Sequence, residues 1–376
     1  MNKNIVALGF VSFFTDMASS MITSILPLFI VYSLNQGVDK LGFIVAIATF
    51  VSYAFRVLFG YLSDKLGVVK PFVVIGYLIS AITKPLLYFS YSWQSVATFR
   101  GIERVGKAVR SATKDSLISA YSGTKSGKSF GFHKTMDIAG ELIGSLLVFT
   151  LLFFLGKSKE LFRDIFLATA IPGVLAVIIV IFFVQDAPYK KYSNKFNLKQ
   201  DYHILPILFI YFGFIFFIFN DSFFLIEAKE SGIKIAYIPL LVVVLNLTQT
   251  LLSYYTGLKI DKLGSKKILQ IAYIFGILSL ITLYYNFIIF SFIFLGIFSV
   301  GSLNAIRAYI SNNANNKGTI YGILYAGVAI FSALGALIVG ALWKYYSFKV
   351  ALLFSLVGMV IIFIIFITYQ KVNSII

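Results

Sequence analysis

The residues of this chain able to do chemistry are charged side chains set in sequence that is otherwise apolar. The stretch RGIERVGKAVRSATKD (100–115) returns a cation every three or four positions: Arg100, Arg104, Lys107, Arg110 and Lys114. That spacing keeps them along one side of a helix. His133, Asp137 and Glu141 recur at i, i+4 and i+8, again one helical face. Asp16, Arg56 and Lys84 lie in three further apolar runs. A charge at membrane depth costs at least about 2.5 kcal/mol on insertion scales, so each is a candidate for function. Cations facing carboxylates can hold helices together, pass a proton, or receive an anionic group through charge-assisted hydrogen bonds. From the residues alone all three stand open.

The elements that carry them must be membrane spans. The 376 residues are 59% hydrophobic and 12% charged, with a mean hydropathy of +0.90, beyond what a soluble domain can bury. A net charge of +17 could suggest nucleic acid, but apolar runs split the lysines and arginines into short clusters and leave no soluble basic patch. No cysteine and only two histidines, His133 and His203, argue against a disulfide framework and a metal site, and no cofactor is expected. No G-x-x-x-x-G-K-[ST] loop occurs, so energy must come from a gradient rather than from ATP. The N-terminus MNKNIVALGFVSFFTD lacks a small-residue cleavage site and reads as a retained first span.

Twelve helices are expected, at 4–34, 41–62, 71–90, 94–118, 129–155 and 163–184, and at 202–226, 233–257, 267–286, 288–310, 319–344 and 348–370. They form two six-helix bundles, 1–184 and 202–376, joined by a polar linker at 185–201. Lysines concentrate on one side of this threading, so both termini are expected in the cytoplasm. The halves repeat one another. GYLSDKLGVVK (60–70) aligns with GLKIDKLGSKK (257–267) at an offset that also sets Arg110 against Arg307. Parallel six-helix repeats with a site between them are an architecture of secondary transporters.

With that loop motif after span 2 and again after span 8, the whole chain resembles the major facilitator superfamily. SFFTDMASSMI, ITKPLL, RVGKAVRSATKDSLI and FGFHKTMDIAG resemble a prokaryotic branch of it. The resemblance implies an all-α integral membrane fold that works by alternating access. It also implies a gating role for the loop residues Gly60, Asp64, Lys65, Gly67 and Lys70, with Gly257, Asp261 and Gly264 in the second half. Arg110, Lys114 and Asp115 are assigned to the same gate by their nearness to the cytoplasmic end of span 4 and the Asp64 turn, with Arg307 as the repeat counterpart of Arg110; snorkelling of long cations to the interface is the alternative. The branch tends to carry proline in span 5 where this chain has Ser145, a departure that weakens an assignment to exchange-driven export.

At a rise of about 1.5 Å per residue, His133, Asp137 and Glu141 fall roughly 6, 12 and 18 Å from the inner boundary, with Arg104 and Arg100 at roughly 14 and 20 Å. Spans 4 and 5 being antiparallel neighbours in this fold, Arg100 is expected level with Glu141, and Arg104 with Asp137. Asp16, Arg56 and Lys84 share the slab. Asp16 and Asp137 are the expected titrating carboxylates, and Asp221 in span 7 is the charged contact expected from the other half.

The expected function is therefore a monomeric secondary transporter for a small solute in a prokaryotic plasma membrane. Proton coupling is expected, and export of a drug-like or metabolite solute is preferred to proton-coupled import of an anionic metabolite. An intramembrane lipid-phosphate enzyme and a non-transporting sensor are the alternatives of another class. The first would need a long reactive loop, and the longest internal polar loop is a lysine-rich connector.

Overall fold

A computed structural model describes residues 2–66, 68–122, 126–156, 158–186, 199–314 and 317–372. Those residues form fifteen α-helices and no strand. In chain order they are α1 (Lys3–Thr23), α2 (Leu26–Leu28), α3 (Val38–Leu66), α4 (Lys70–Leu86), α5 (Trp93–Ser122), α6 (Ser126–Leu155), α7 (Lys159–Ala168) and α8 (Ala170–Phe183). They continue as α9 (Leu205–Phe217), α10 (Asp221–Glu230), α11 (Ile238–Leu263), α12 (Ser265–Tyr284), α13 (Ile288–Asn313), α14 (Lys317–Tyr345) and α15 (Phe348–Val372).

Twelve crossings result, because α1 runs on through α2 and a π-helical turn at Phe29–Ser33, α7 continues into α8, and α9 into α10. Eleven segments are long and apolar enough to span a membrane by composition. The twelfth is α5, the helix of the cation ladder. Its 30 residues extend about 45 Å, ample for a bilayer core of about 30 Å.

The chain divides into two compact units. The first comprises Met1–Gln36, Ile47–Asn194 and Lys234–Val243, the second Gly37–Ala46, Lys195–Ile233 and Val244–Ile376. Residues 37–46 and 234–243 thus group with the opposite half of the sequence, so neither unit is one continuous block.

Within each unit the same helix pairs form the tightest contacts. In the first, α1 packs along α6 and α4 along α5. In the second, α9 packs along α14 and α12 along α13. Small residues permit the close approach. A Cβ added to Gly140 would lie 2.1 Å from the Phe13 carbonyl oxygen, and one on Gly144 would lie 2.4 Å from that of Met17. Gly335 repeats this against Phe216 at 2.1 Å. Gly76 and Gly106 face each other across the α4–α5 contact. At one end of the first unit the core closes over Leu8, Val11, Val73, Tyr77, Leu117 and Val180.

Span 7 is broken at Ile218–Asn220. Ile218 is extended (φ −69°, ψ 138°), and Asn220 caps α10 by accepting a 3.1 Å hydrogen bond from the Ser222 amide. An acidic residue in the first helical turn, Asp221, complements the helix dipole there.

Candidate functional site

The charged helix α5 enters the first unit against α4, and its polar face is the core of the candidate site. Glu103 is 2% exposed and lies between two arginines, its Oε2 2.9 Å from Arg100 Nη1 and 3.3 Å from Arg104 Nε. Arg100, 4% exposed, donates to that oxygen from one turn away along the helix. The triad places two positive charges on one carboxylate, a surplus of one cation in a buried setting.

From α4, Lys84 is 1% exposed and donates a 2.8 Å hydrogen bond from Nζ to the Thr15 carbonyl of α1. The acceptor lies one residue before Asp16. Asp16 itself accepts a 3.3 Å hydrogen bond on Oδ2 from Ser12, one turn back. A lysine reaching another helix's carbonyl is a charged tether between α4 and α1, since hydrogen bonds to a charged group are the stronger kind.

On α6, buried His133 presents Nδ1 to Asp137 Oδ1 at 3.3 Å. Glu141, half-buried, stands one turn farther along, and its backbone carbonyl accepts a 2.7 Å hydrogen bond from Ser20. Ser145, fully buried, meets the Ser20 hydroxyl at 2.5 Å and that of Ser24 at 3.1 Å. Where the branch tends to place proline, this chain thus joins α6 to α1 through hydroxyls.

The structure corrects the pairings expected from helical depth. Arg100 and Arg104 are bound to Glu103 on their own helix, not to Glu141 and Asp137. The reason is packing: α5 lies chiefly along α4, and α6 chiefly along α1, so the two ladders are not each other's main neighbours. Arg56 is half-buried on α3, its guanidinium 5.4 Å from the Tyr53 ring centre. Asp221 sits in the second unit, at the start of α10.

The expected gate residues separate. Gly67 lies outside the described residues, as do the side chains of Asp64, Lys65 and Asp261 and the surroundings of Gly60. Gly264 adopts φ +81°, the region that favours glycine, directly before α12. Gly257 has open space around it rather than a close helix contact. Lys70 ties the start of α4 to the end of α8, through its amide to Asp186 (3.1 Å) and its Nζ to the Ile181 carbonyl (3.0 Å). Lys114 is half-buried and Asp115 exposed.

Arg110 is 5% exposed and held by α4: it donates to Ser80 and to the Gly76 carbonyl (3.4 Å), with its guanidinium 4.8 Å from the centre of the Tyr77 ring. Its repeat partner Arg307 instead donates to the Tyr325 hydroxyl at 3.1 Å, on α14. The two arginines match in sequence and differ in neighbour. Sequence reasoning counted Glu103 among the charges in the apolar runs but not among the site residues, although Arg100 and Glu103 at i, i+3 are a pairing signal on any helix. It also missed Ser20, Ser80 and Tyr77, which carry no signal until α1 and α4 are placed.

The Major Facilitator Superfamily family model matches residues 8–284 and 207–374. An uncharacterized MFS-type transporter of Methanocaldococcus jannaschii is 35% identical over 361 residues, covering 92% of this chain and 89% of the relative. Among solved structures, the nucleoside transporter NupG superposes with a TM-score of 0.80 at 15% identity, covering 99% of this chain and 100% of that one. A POT family transporter superposes with a TM-score of 0.81 at 11% identity, covering 98% and 96%. These two likenesses are of fold. With twelve helical crossings in two units of matching internal packing, and a family match along nearly its whole length, the chain belongs to the major facilitator superfamily of secondary transporters.

Proposed function

We propose that the protein couples proton movement to transport of a small solute by alternating access in a prokaryotic plasma membrane, with Asp16 and Asp137 as the proton-carrying groups. The observation that carries this reading is the buried Lys84 ammonium on the Thr15 carbonyl, one residue from Asp16. A carboxylate beside that turn helps to hold the cation on α1, and protonating it removes the attraction. Asp137 stands beside His133, a second group able to exchange protons. The gate is assigned to the doubled loop, with Asp64 and Asp261 as its carboxylates.

Export of a drug-like or metabolite solute is the preferred direction. Import of an anionic metabolite is the second reading, supported by the cation surplus around Glu103. Flux into proteoliposomes under an imposed pH gradient separates them: uptake stimulated by an acidic exterior supports symport, and export driven by it supports antiport. Asp16→Asn and Asp137→Asn are each expected to abolish the pH dependence while the folded protein persists. Should both variants transport with unchanged pH dependence, the coupling assignment is wrong and the charges serve packing.

A further inference from the structure

Away from the charged core, the second unit has a groove of about 320 Å³ between the inner half of α11 and the pair α12–α13. That size is at the lower end for small-ligand sites. One wall is a stripe on α11 at i, i+4, i+8: Tyr255, Lys259 and Leu263. The facing wall is apolar, formed by Ile268 and Ala272 of α12 with Ile297 of α13. The helices part here because α11 holds to α13 farther out, where Gly296 lies beneath Leu245 and Thr248, and no such contact recurs around Gly257.

The wall places one cation in otherwise apolar surroundings. Lys259 is exposed, and no carboxylate among the described residues lies within ion-pair distance of it. It lies two residues past the span expected at 233–257 and one turn before the last residue of α11, where an apolar crossing gives way to the headgroup region. Nor is it one of the residues shared by the two copies of the loop motif. At the repeat offset that pairs Lys65 with Lys262 and Lys70 with Lys267, Lys259 falls opposite Leu62, so the first half has no cation at this position. Lys262, Lys266 and Lys267 add positive charge at the same helix ends.

We propose that this groove is a binding site for an anionic phospholipid of the inner leaflet, one acyl chain lying between α11 and α12–α13 and the phosphate received by Lys259. An apolar trough alone would take any lipid chain. A lysine at headgroup depth, lacking a protein partner among the described residues, adds selectivity for negative charge. Tyr255, 62% exposed, lies one turn deeper on the same wall, where an amphipathic ring can line the chain.

The test is native mass spectrometry of the full-length protein titrated with phosphatidylglycerol, and in parallel with phosphatidylcholine. The first phosphatidylglycerol is expected to bind more tightly than phosphatidylcholine, with about a fivefold loss of affinity in Lys259→Gln. Ile297→Trp, which fills the groove, is expected to remove that first binding event for both lipids. Lys262→Gln removes the same charge outside the groove and is expected to leave it nearly unchanged. Glycerol 3-phosphate, which carries the phosphate without a chain, is expected not to compete. Equal binding of the two lipids, equal effects of Lys259→Gln and Lys262→Gln, or retention in Ile297→Trp each overturn the proposal. A thermal unfolding scan of each variant confirms that it is folded.

Discussion

Glu103 illustrates how much of this protein rests on single buried charges. It accepts Arg100 and approaches Arg104 in a setting where the three side chains are between 2% and 16% exposed. Removing one partner of a buried pair costs about 3–5 kcal/mol because a desolvated charge is left behind. Glu103→Gln is therefore expected to lower the unfolding temperature sharply, read by a thermal scan in detergent. Arg104→Gln should do so less, because Arg104 is the most exposed of the three and leaves the Arg100–Glu103 bond intact. Arg110 makes a related case. A guanidinium bonded to Ser80 and lying over the Tyr77 ring uses its planar shape as well as its charge. Arg110→Lys keeps the charge and loses that fit, for an expected cost of about 1–3 kcal/mol in the same scan. The identity of these charges was legible in the sequence, since ionisable residues in apolar runs stand out. Their partners were not: depth along a helix gives a level, whereas pairing depends on which helices touch and which rotamers their side chains adopt.

At the scale of elements, the close helix pairs rest on glycines, and the glycines are not equivalent. A Cβ at Gly140 or Gly335 would meet a carbonyl oxygen of the neighbouring helix at 2.1 Å, a contact that backbone cannot relieve without moving the helix. Gly140→Ala and Gly335→Ala are each expected to destabilise by about 1–3 kcal/mol, as overpacking does. Gly257→Ala meets open space in a helix and is expected to be neutral or to stabilise by about 0.4–1 kcal/mol. Unfolding temperatures of the three variants rank them directly. Gly140 and Gly144, four residues apart, could be read as a small-residue contact from sequence, and the structure supplies its partner, α1. Gly257 was legible only as one half of a repeated motif, and repetition does not report which glycine is crowded. The break at Thr169 left little trace in hydropathy, and the one at Ile218–Asn220 is marked only by the short polar run Asn220-Asp221-Ser222, which a span-length apolar average hides.

At the scale of the whole molecule, lysine placement sets orientation, and the absence of cysteine makes it easy to test. A cysteine in place of Lys159, at the start of α7, is expected to react with a membrane-impermeant maleimide in intact cells. One in place of Lys371, near the end of α15, should react only after permeabilisation. Reaction of both, or of neither, before permeabilisation would contradict the assigned topology. Helix count and fold class were the most legible features, since a run of about 20 apolar residues has few other uses.

The one crossing that composition does not reveal as apolar has a consequence for synthesis. During insertion α5 emerges with Arg100, Arg104, Lys107, Arg110 and Lys114, each unfavourable by about 2.5–3.5 kcal/mol at the centre of an isolated helix. It cannot partition into lipid unaided. The helix made just before it, α4, is already apolar enough to be membrane-bound and carries Ser80, Tyr77 and the Gly76 carbonyl that receive Arg110. The α4–α5 hairpin is thus the smallest piece containing α5 that the insertion machinery can release as a unit, with the earlier helix serving as solvent for the later one.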